Sequence, residues 1–357
     1  MMSIIQHLND EYKINMFGFG ITNRMWRGLG LILMTLLSAC INVSSLPTQA
    51  VSRFALPPPG SDAIGSLVAI RLRAQDALRE VARYFDIGHD EILDANPNVD
   101  PQSPGEGTRI LIPTQHLLPP GPRQGIVINL AALRLYYYLE DGQTVISYPT
   151  GIGRDSWATP EGNTRVIAKE IEPSWRVPPS IRTEYARMGN SLPTVVAPGA
   201  DNPLGRYALR LNLPGYLIHG TNRPYGVGMR VSHGCVQLYP EDISDLFSNV
   251  PVGMRVTIVN RPYVVGRIAG RWYLETHPFL SDDLSEQRSK AMAQVRQALL
   301  DAGADLAEID WNRVAKAAQV TWGVPLPIYR GAPAAESVLA AVPLVKTGVI
   351  AGTWSDK

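Results

Sequence analysis

The chain has 357 residues, 18% of them charged, and its 33 Lys and Arg against 32 Asp and Glu leave a formal charge of +1. With 45% hydrophobic residues this composition supports about two compact domains, and without a basic stripe it excludes nucleic acid as a partner. The 29 prolines and 31 glycines predict a strand-rich protein with stiff connectors, and only two cysteines, Cys40 and Cys235, are present.

Residues before Met16 are acidic and lack apolar periodicity; they carry no part of the reading, and Met16 or Met25 is an alternative start. Arg24 and Arg27 precede the apolar run from Leu29 to Leu37, and Ser38-Ala39 supplies small residues before Cys40. A run of about ten apolar residues is shorter than the roughly 20 that span a bilayer, so it reads as a secretory signal over 1–39, with a plain apolar anchor as the alternative. Leu37-Ser38-Ala39-Cys40 resembles a bacterial lipobox, which implies that Cys40 is lipidated and begins the mature chain. Residues 40–65, polar and carrying Pro57-Pro58-Pro59-Gly60, read as a linker.

A small module is predicted over 66–114. Leu67-Val68-Ala69-Ile70 is a short strand; Leu78, Val81, Ala82 and Phe85 then fall at i, i+3, i+4 and i+7, one face of a helix. A second helix over 91–95 ends at Asn96-Pro97-Asn98, and Thr108-Arg109-Ile110-Leu111-Ile112-Pro113 is a second strand. This βααβ order, with Leu93-Asp94-Ala95-Asn96-Pro97 and Ile110-Leu111-Ile112-Pro113, resembles a LysM domain and implies binding of N-acetylglucosamine-containing glycan. Gln75 and Ala77 depart from the Gly and Thr or Ser usual in the sugar-contacting loop of such modules. A purely structural module is the alternative.

After the linker-like 117–125 the texture becomes β. Strands are predicted over 126–130, 133–139 and 144–148, with Asp141-Gly142 as the hairpin signal between the last two, then over 216–218 and 256–259. Gly151-Ile152-Gly153 lacks the Gly-Lys-Ser/Thr of a phosphate loop. Only 240–247 reads as a helix between these strands, with Pro240 suited to a first turn and Glu241 and Asp242 to its positive end.

Cys235 closes Ser232-His233-Gly234-Cys235, sixteen positions after His219 of Ile218-His219-Gly220-Thr221. Once Cys40 is acylated, Cys235 has no disulfide partner, and a lone thiol beside an imidazole is a nucleophile candidate. Zinc on His219, His233 and Cys235 lacks a nearby carboxylate; a buried, inert Cys235 is the other alternative.

From about 123 to 262 the chain is similar to the YkuD-type L,D-transpeptidases, carried by Asp201-Asn202-Pro203-Leu204-Gly205, Ile218-His219-Gly220-Thr221 and Ser232-His233-Gly234-Cys235-Val236 in order and spacing. The resemblance implies a mainly β catalytic domain, a YkuD-like β-sandwich with a short helix. It implies a peptidoglycan tetrapeptide stem as donor, an amine of another stem or of an envelope lipoprotein as acceptor, no cofactor and no metal. Cys235 would be the nucleophile and His219 the general base, oriented by the Gly220 carbonyl. His233 would support the site, backbone amides at Gly234 and Cys235 would hold the oxyanion, and Ser232 would supply hydrogen bonds. Gln237 departs from the family's Arg two positions after the cysteine and loses its bidentate fork; Arg230 is the cation nearest in sequence. A catalytically weakened peptidoglycan-binding protein and an L,D-carboxypeptidase are the competing readings, and a lipid-anchored periplasmic location follows from the signal.

Beyond Pro262, residues 263–330 read as a helical C-terminal extension: a strand over 271–275, helix-like runs over 284–302 and 306–318 around Gly303, and a return to the domain over 322–327. Residues 331–357 read as a flexible tail.

Overall fold

The computed structural model describes residues 52–280 and 284–346, with the backbone alone for 284–289. Cys40, the 1–39 signal and residues 347–357 lie outside the described residues.

Nine strands form one mixed sheet, in the spatial order Arg53–Ala55, Thr144–Pro149, Arg134–Tyr138, Gly125–Asn129, Arg255–Val259, Gly162–Ile171, Tyr207–Leu211, Leu217–His219 and Val236–Gln237. Two neighbouring pairs are parallel: Arg255–Val259 with Gly125–Asn129, and Leu217–His219 with Val236–Gln237. Ile126, Leu135, Ile146, Val166, Leu209, Ile218, Val236 and Val256, from every strand but the first, meet in one apolar core. The sheet therefore curls, and the helix Pro240–Asn249 fills its hollow with Ile243 and Leu246. The expected sandwich is thus corrected to a single curled sheet.

Its other face is also covered. Val127, Tyr136, Tyr138 and Val145 pack under Ile64 and Leu118. Arg134–Tyr138 is buried at every residue, which is why Leu135 to Tyr138 form a continuous aliphatic and aromatic run instead of an alternating one.

The chain that covers this face corrects the linker expectation for 52–65. Arg53–Ala55 adds an edge strand against Thr144–Pro149, and Ala63–Gly65 pairs with Gln115–Leu117. Three-residue edge strands need only backbone groups, so they leave little pattern in the side chains.

The strands Val68–Arg71 and Arg109–Ile112 pair antiparallel around the helices Leu78–Tyr84 and His89–Asp94. Helices this short are marginal alone and rely on packing, here of Leu78, Val81, Ala82 and Ile92 on Ile70 and Ile110. Buried Asn96 closes the unit: its Nδ2 donates to the Ile92 and Leu111 carbonyls at 2.8 Å, and its Oδ1 accepts from the Leu111 amide at 2.8 Å.

Residues 263 onward form the hairpin Tyr263–Ile268 and Arg271–Thr276, with Leu326–Pro327 as a third strand and the helices Leu284–Asp301 and Trp311–Gln319 packed beside it. The tail expectation fails over 331–346. A helix forms at Ala335–Ala340, and Ala69 exchanges backbone hydrogen bonds with Pro343 and Val345 at 2.9 and 2.8 Å. A second helix went unforeseen beside the catalytic strands, Pro179–Arg187. Pro178-Pro179 reads as a breaker in sequence, although proline is well suited to a first helical turn.

Candidate active site

His219 ends the strand Leu217–His219, and parallel pairing sets Ile218 opposite Val236 and His219 opposite Gln237. Ile218 and Val236 face the core, so alternation turns Leu217, His219 and Cys235 to the opposite face. This register brings together two residues sixteen positions apart.

The imidazole is 3% exposed, and its Nδ1 lies 2.5 Å from the Gly220 carbonyl. A carbonyl only accepts, so Nδ1 carries the hydrogen and Nε2 keeps its lone pair. Burial pulls the His219 pKa down to about 4, against the carbonyls of Gly220 and Leu204, which favour the cation. His219 is therefore neutral at pH 7.

The Leu204 carbonyl is there because of the Asn-Pro-Leu-Gly block. Asn202 is fully buried; its Nδ2 donates to the Pro173 and Ala197 carbonyls at 2.8 and 3.1 Å, and its Oδ1 accepts from the Leu204 amide at 2.9 Å. Gly205 has φ 65°, and a Cβ there would lie 2.7 Å from the Thr221 amide. The block is a brace for the histidine loop.

The part-exposed Cys235 thiol donates to the Gly215 carbonyl at 3.6 Å, so among the described residues its hydrogen bond goes there and not to His219. Burial of the sulfur pushes its pKa up to about 11. Thiol and imidazole both rest neutral at pH 7.

The Cys235 turn is tightly built. Ser232 Oγ accepts from the Gly234 amide at 3.1 Å and donates to the Cys235 carbonyl at 2.6 Å. The Gly234 amide is thus engaged, which corrects its expected oxyanion role. Of the two amides expected to hold the oxyanion, that leaves the one at Cys235. Gly234 has φ 104°, and a Cβ would meet the Tyr216 ring at 2.9 Å.

The ring of His233, within this turn, joins a cluster absent from the sequence reading. Its Nε2 is 3.1 Å from Arg154 Nη2 and 3.3 Å from Glu184 Oε2, and Arg154 also pairs with Glu184. Trp157 donates to Glu184 at 3.1 Å and meets the His233 ring edge-on. Desolvation, then the Arg154 charge, lowers the His233 pKa despite Glu184. Thr159 was missed too: its Oγ donates to the Gly234 carbonyl at 2.8 Å and accepts from the Gly153 amide at 3.0 Å. The usable signal was the Gly151-Ile152-Gly153 spacing, since a Cβ on Gly153 would lie 2.9 Å from Gly234 Cα.

Arg230 has partners other than the thiol, and the Gln237 side chain packs beside two glycines. Arg230 pairs with Asp155 and donates to the Leu280 carbonyl at 2.5 Å. The Gln237 Oε1 lies against the backbone of Gly151 and Gly226. Among the described residues no three His, Cys, Asp or Glu side chains are grouped to hold a metal ion.

Behind the loop that leads to Arg230, the βααβ module grips the catalytic body. The His89 and Asp90 amides donate to the Val227 and Gly228 carbonyls at 3.1 Å each, and a Cβ on Gly228 would lie 2.2 Å from Gly88 Cα. Arg134, 1% exposed on the main sheet, makes a bidentate pair with Glu91 of the module at 2.9 and 3.1 Å and also donates to Ser147 Oγ and the Asp86 carbonyl.

A YkuD family model, the L,D-transpeptidase catalytic domain, matches residues 123–258. The chain is similar to the Escherichia coli (strain K12) protein "Probable L,D-transpeptidase ErfK/SrfK", 39% identical over 291 residues that span 80% of this chain and 93% of that protein. It is likewise similar to "Probable L,D-transpeptidase YcfS" of the same organism, 38% identical over 292 residues, 80% of this chain and 91% of the relative. "Putative L,D-transpeptidase YkuD" of Bacillus licheniformis is 28% identical over 193 residues, 54% of this chain and 99% of that protein. With likeness of this extent reaching well past the catalytic match, the chain belongs to the L,D-transpeptidase family and is an enzyme.

Proposed function

We propose that the chain is a peptidoglycan L,D-transpeptidase working by acyl transfer through Cys235. The observation that carries this reading is the parallel register that sets the thiol and the Nδ1-protonated His219 on one sheet face. His219 Nε2 takes the thiol proton as the sulfur attacks the carbonyl between the diamino acid of a tetrapeptide stem and its terminal D-Ala. The Cys235 amide stabilises the tetrahedral oxyanion. Collapse breaks the amide, His219 returns the proton to the departing D-Ala nitrogen, and a thioester remains. An acceptor amine then attacks the thioester, loses its proton to His219, and the thiol is restored.

The acceptor is an amine of a second stem or a lysine of an envelope lipoprotein; water in its place gives an L,D-carboxypeptidase. The βααβ unit acts as a LysM-like domain that holds glycan near the catalytic domain. The helical extension over 263–330 buttresses the body, and lipidation at Cys40 tethers the enzyme on the periplasmic side of a membrane. His233, Ser232, Arg230 and Gln237 support the site and its donor. Arg154, which reaches His233 at 3.1 Å, supplies a cation beside the Cys235 loop where the family's Arg gives way to Gln237.

Purified full-length protein is expected to release D-Ala from tetrapeptide muropeptides and to yield a product coupled to an added amine. Retention of that release by Cys235→Ala would rule the mechanism out, and release without coupling, whatever the amine, would favour the carboxypeptidase.

A further inference from the structure

The face of the sheet that carries Leu217 and His219 continues sideways into a cavity of about 410 Å³. Arg210 pairs directly with Leu217 across the antiparallel ladder, while its neighbour Leu209 pairs with Ile218 and faces the core. Arg210 therefore shares a face with Leu217, whose backbone reaches the Cys235 sulfur. With strands about 4.8 Å apart, Arg210 is rooted two strands, roughly 10 Å, from the nucleophile. On the next strand Ala168 pairs with Arg210, and Glu170, two residues on and so on the same face, accepts from Arg210 Nε at 2.9 Å. Trp175, Arg176 and exposed Val195, from the ribbon Trp175–Arg176 with Val195–Val196, line the same cavity. Leu204, whose carbonyl faces His219, forms part of its wall.

We propose that this cavity is a subsite for the zwitterionic amino-acid end of a diamino acid side chain. Two guanidiniums and one carboxylate make a lining with one net positive charge. A carboxylate suits Arg210 and Arg176 through paired N–H donors, and an ammonium suits Glu170. Trp175 and Val195 suit the methylene stem between that end and the reacting carbonyl. A free amino-acid end supplies one group of each sign, whereas a lysine end offers only the cation and an amidated end lacks the anion. The inference rests on the acyl-transfer reading for its substrate, and it adds what selects the donor.

The test uses full-length protein with three tetrapeptide donors, carrying diaminopimelic acid, its amidated form or lysine at the third position. Calorimetric titration in the Cys235→Ala background is expected to show the diaminopimelic donor binding about tenfold tighter than the other two; Arg210→Gln should erase that preference while leaving the weak binding of the lysine donor in place, and Glu170→Gln should weaken all three donors, since each carries the ammonium. In otherwise wild-type enzyme, Arg210→Gln should lower kcat/KM about tenfold for the diaminopimelic donor and leave it unchanged for the amidated one. Equal affinity for the three donors, or equal losses for all of them in Arg210→Gln, would overturn the subsite. Discrimination in binding together with no D-Ala release by the wild type would overturn the acyl-transfer reading and leave the subsite standing.

Discussion

Around Cys235 and His219, burial acts on groups with no ionic partner, and both are driven neutral, the thiol up to about 11 and the imidazole down to about 4. At Arg134 and Glu275, equally deep, burial acts on groups held by ionic or hydrogen-bonding partners. Desolvation lowers the Arg134 pKa, but Glu91 overcomes it and holds the guanidinium above its usual range. Desolvation also raises Glu275, yet His116 and His277 bring it down to about 2. One region keeps a proton movable, and the other fixes charge as part of the scaffold. On the proposed acyl-transfer reading the first is ready for chemistry that creates charge, and within the second the Arg134–Glu91 pair holds the module onto the sheet.

The sharpest way to break this contrast is to remove the movable proton's acceptor. His219→Gln should keep the fold, since its removal strands no buried charge, and lower D-Ala release about 10²–10⁴-fold. Stopped-flow turnover alongside circular dichroism checks both halves. Loss of fold would mean that His219 is structural.

Arg134→Met should do the reverse. It leaves Glu91 buried and unpaired and should cost about 3–5 kcal/mol in urea unfolding, with most of that loss recovered by adding Glu91→Leu. If the double variant is no better than the single, the pair is not the source of the loss.

Acid separates the two regions by pH window. His219 has a folded pKa below its unfolded value near 6.5, so the unfolded chain takes the proton first. Stability from this group falls as pH drops from about 6.5 to about 4, by about 3 kcal/mol. Glu275 is depressed from 4.5 to about 2, so its contribution is complete above 4.5 and fades as pH falls toward about 2. Its loss is of similar size, about 3 kcal/mol at most, and comes later. Urea titrations at pH 7, 5.5, 4 and 3 should show the first loss missing in His219→Gln and the second unaffected there.

What sequence revealed and what it hid divide along the same physical line. The contact of His219 with the Gly220 carbonyl was legible, and Cys235 and His219 stood out, because they lie in two short strings whose residue types suggest the chemistry proposed for them. The strands of the curled sheet were legible through aliphatic and β-branched runs. Arg154, Glu184 and Thr159 reach the site from distant turns and an unforeseen helix, and none has a distinctive neighbour. The strand Arg53–Ala55 and the contact of residues 343–345 with Ala69 use backbone hydrogen bonds, which no side-chain pattern encodes. The engagement of the Gly234 amide by Ser232 depends on a turn geometry that four residue names do not specify.

The central claim is that Cys235 is the atom that carries the acyl group. Intact-mass spectrometry after incubation with a carbapenem, followed by peptide mapping, tests it most directly. The wild type should gain one adduct, located on Cys235, and Cys235→Ala should gain none. An adduct on another residue, or acylation of Cys235→Ala to the same extent, would contradict the account.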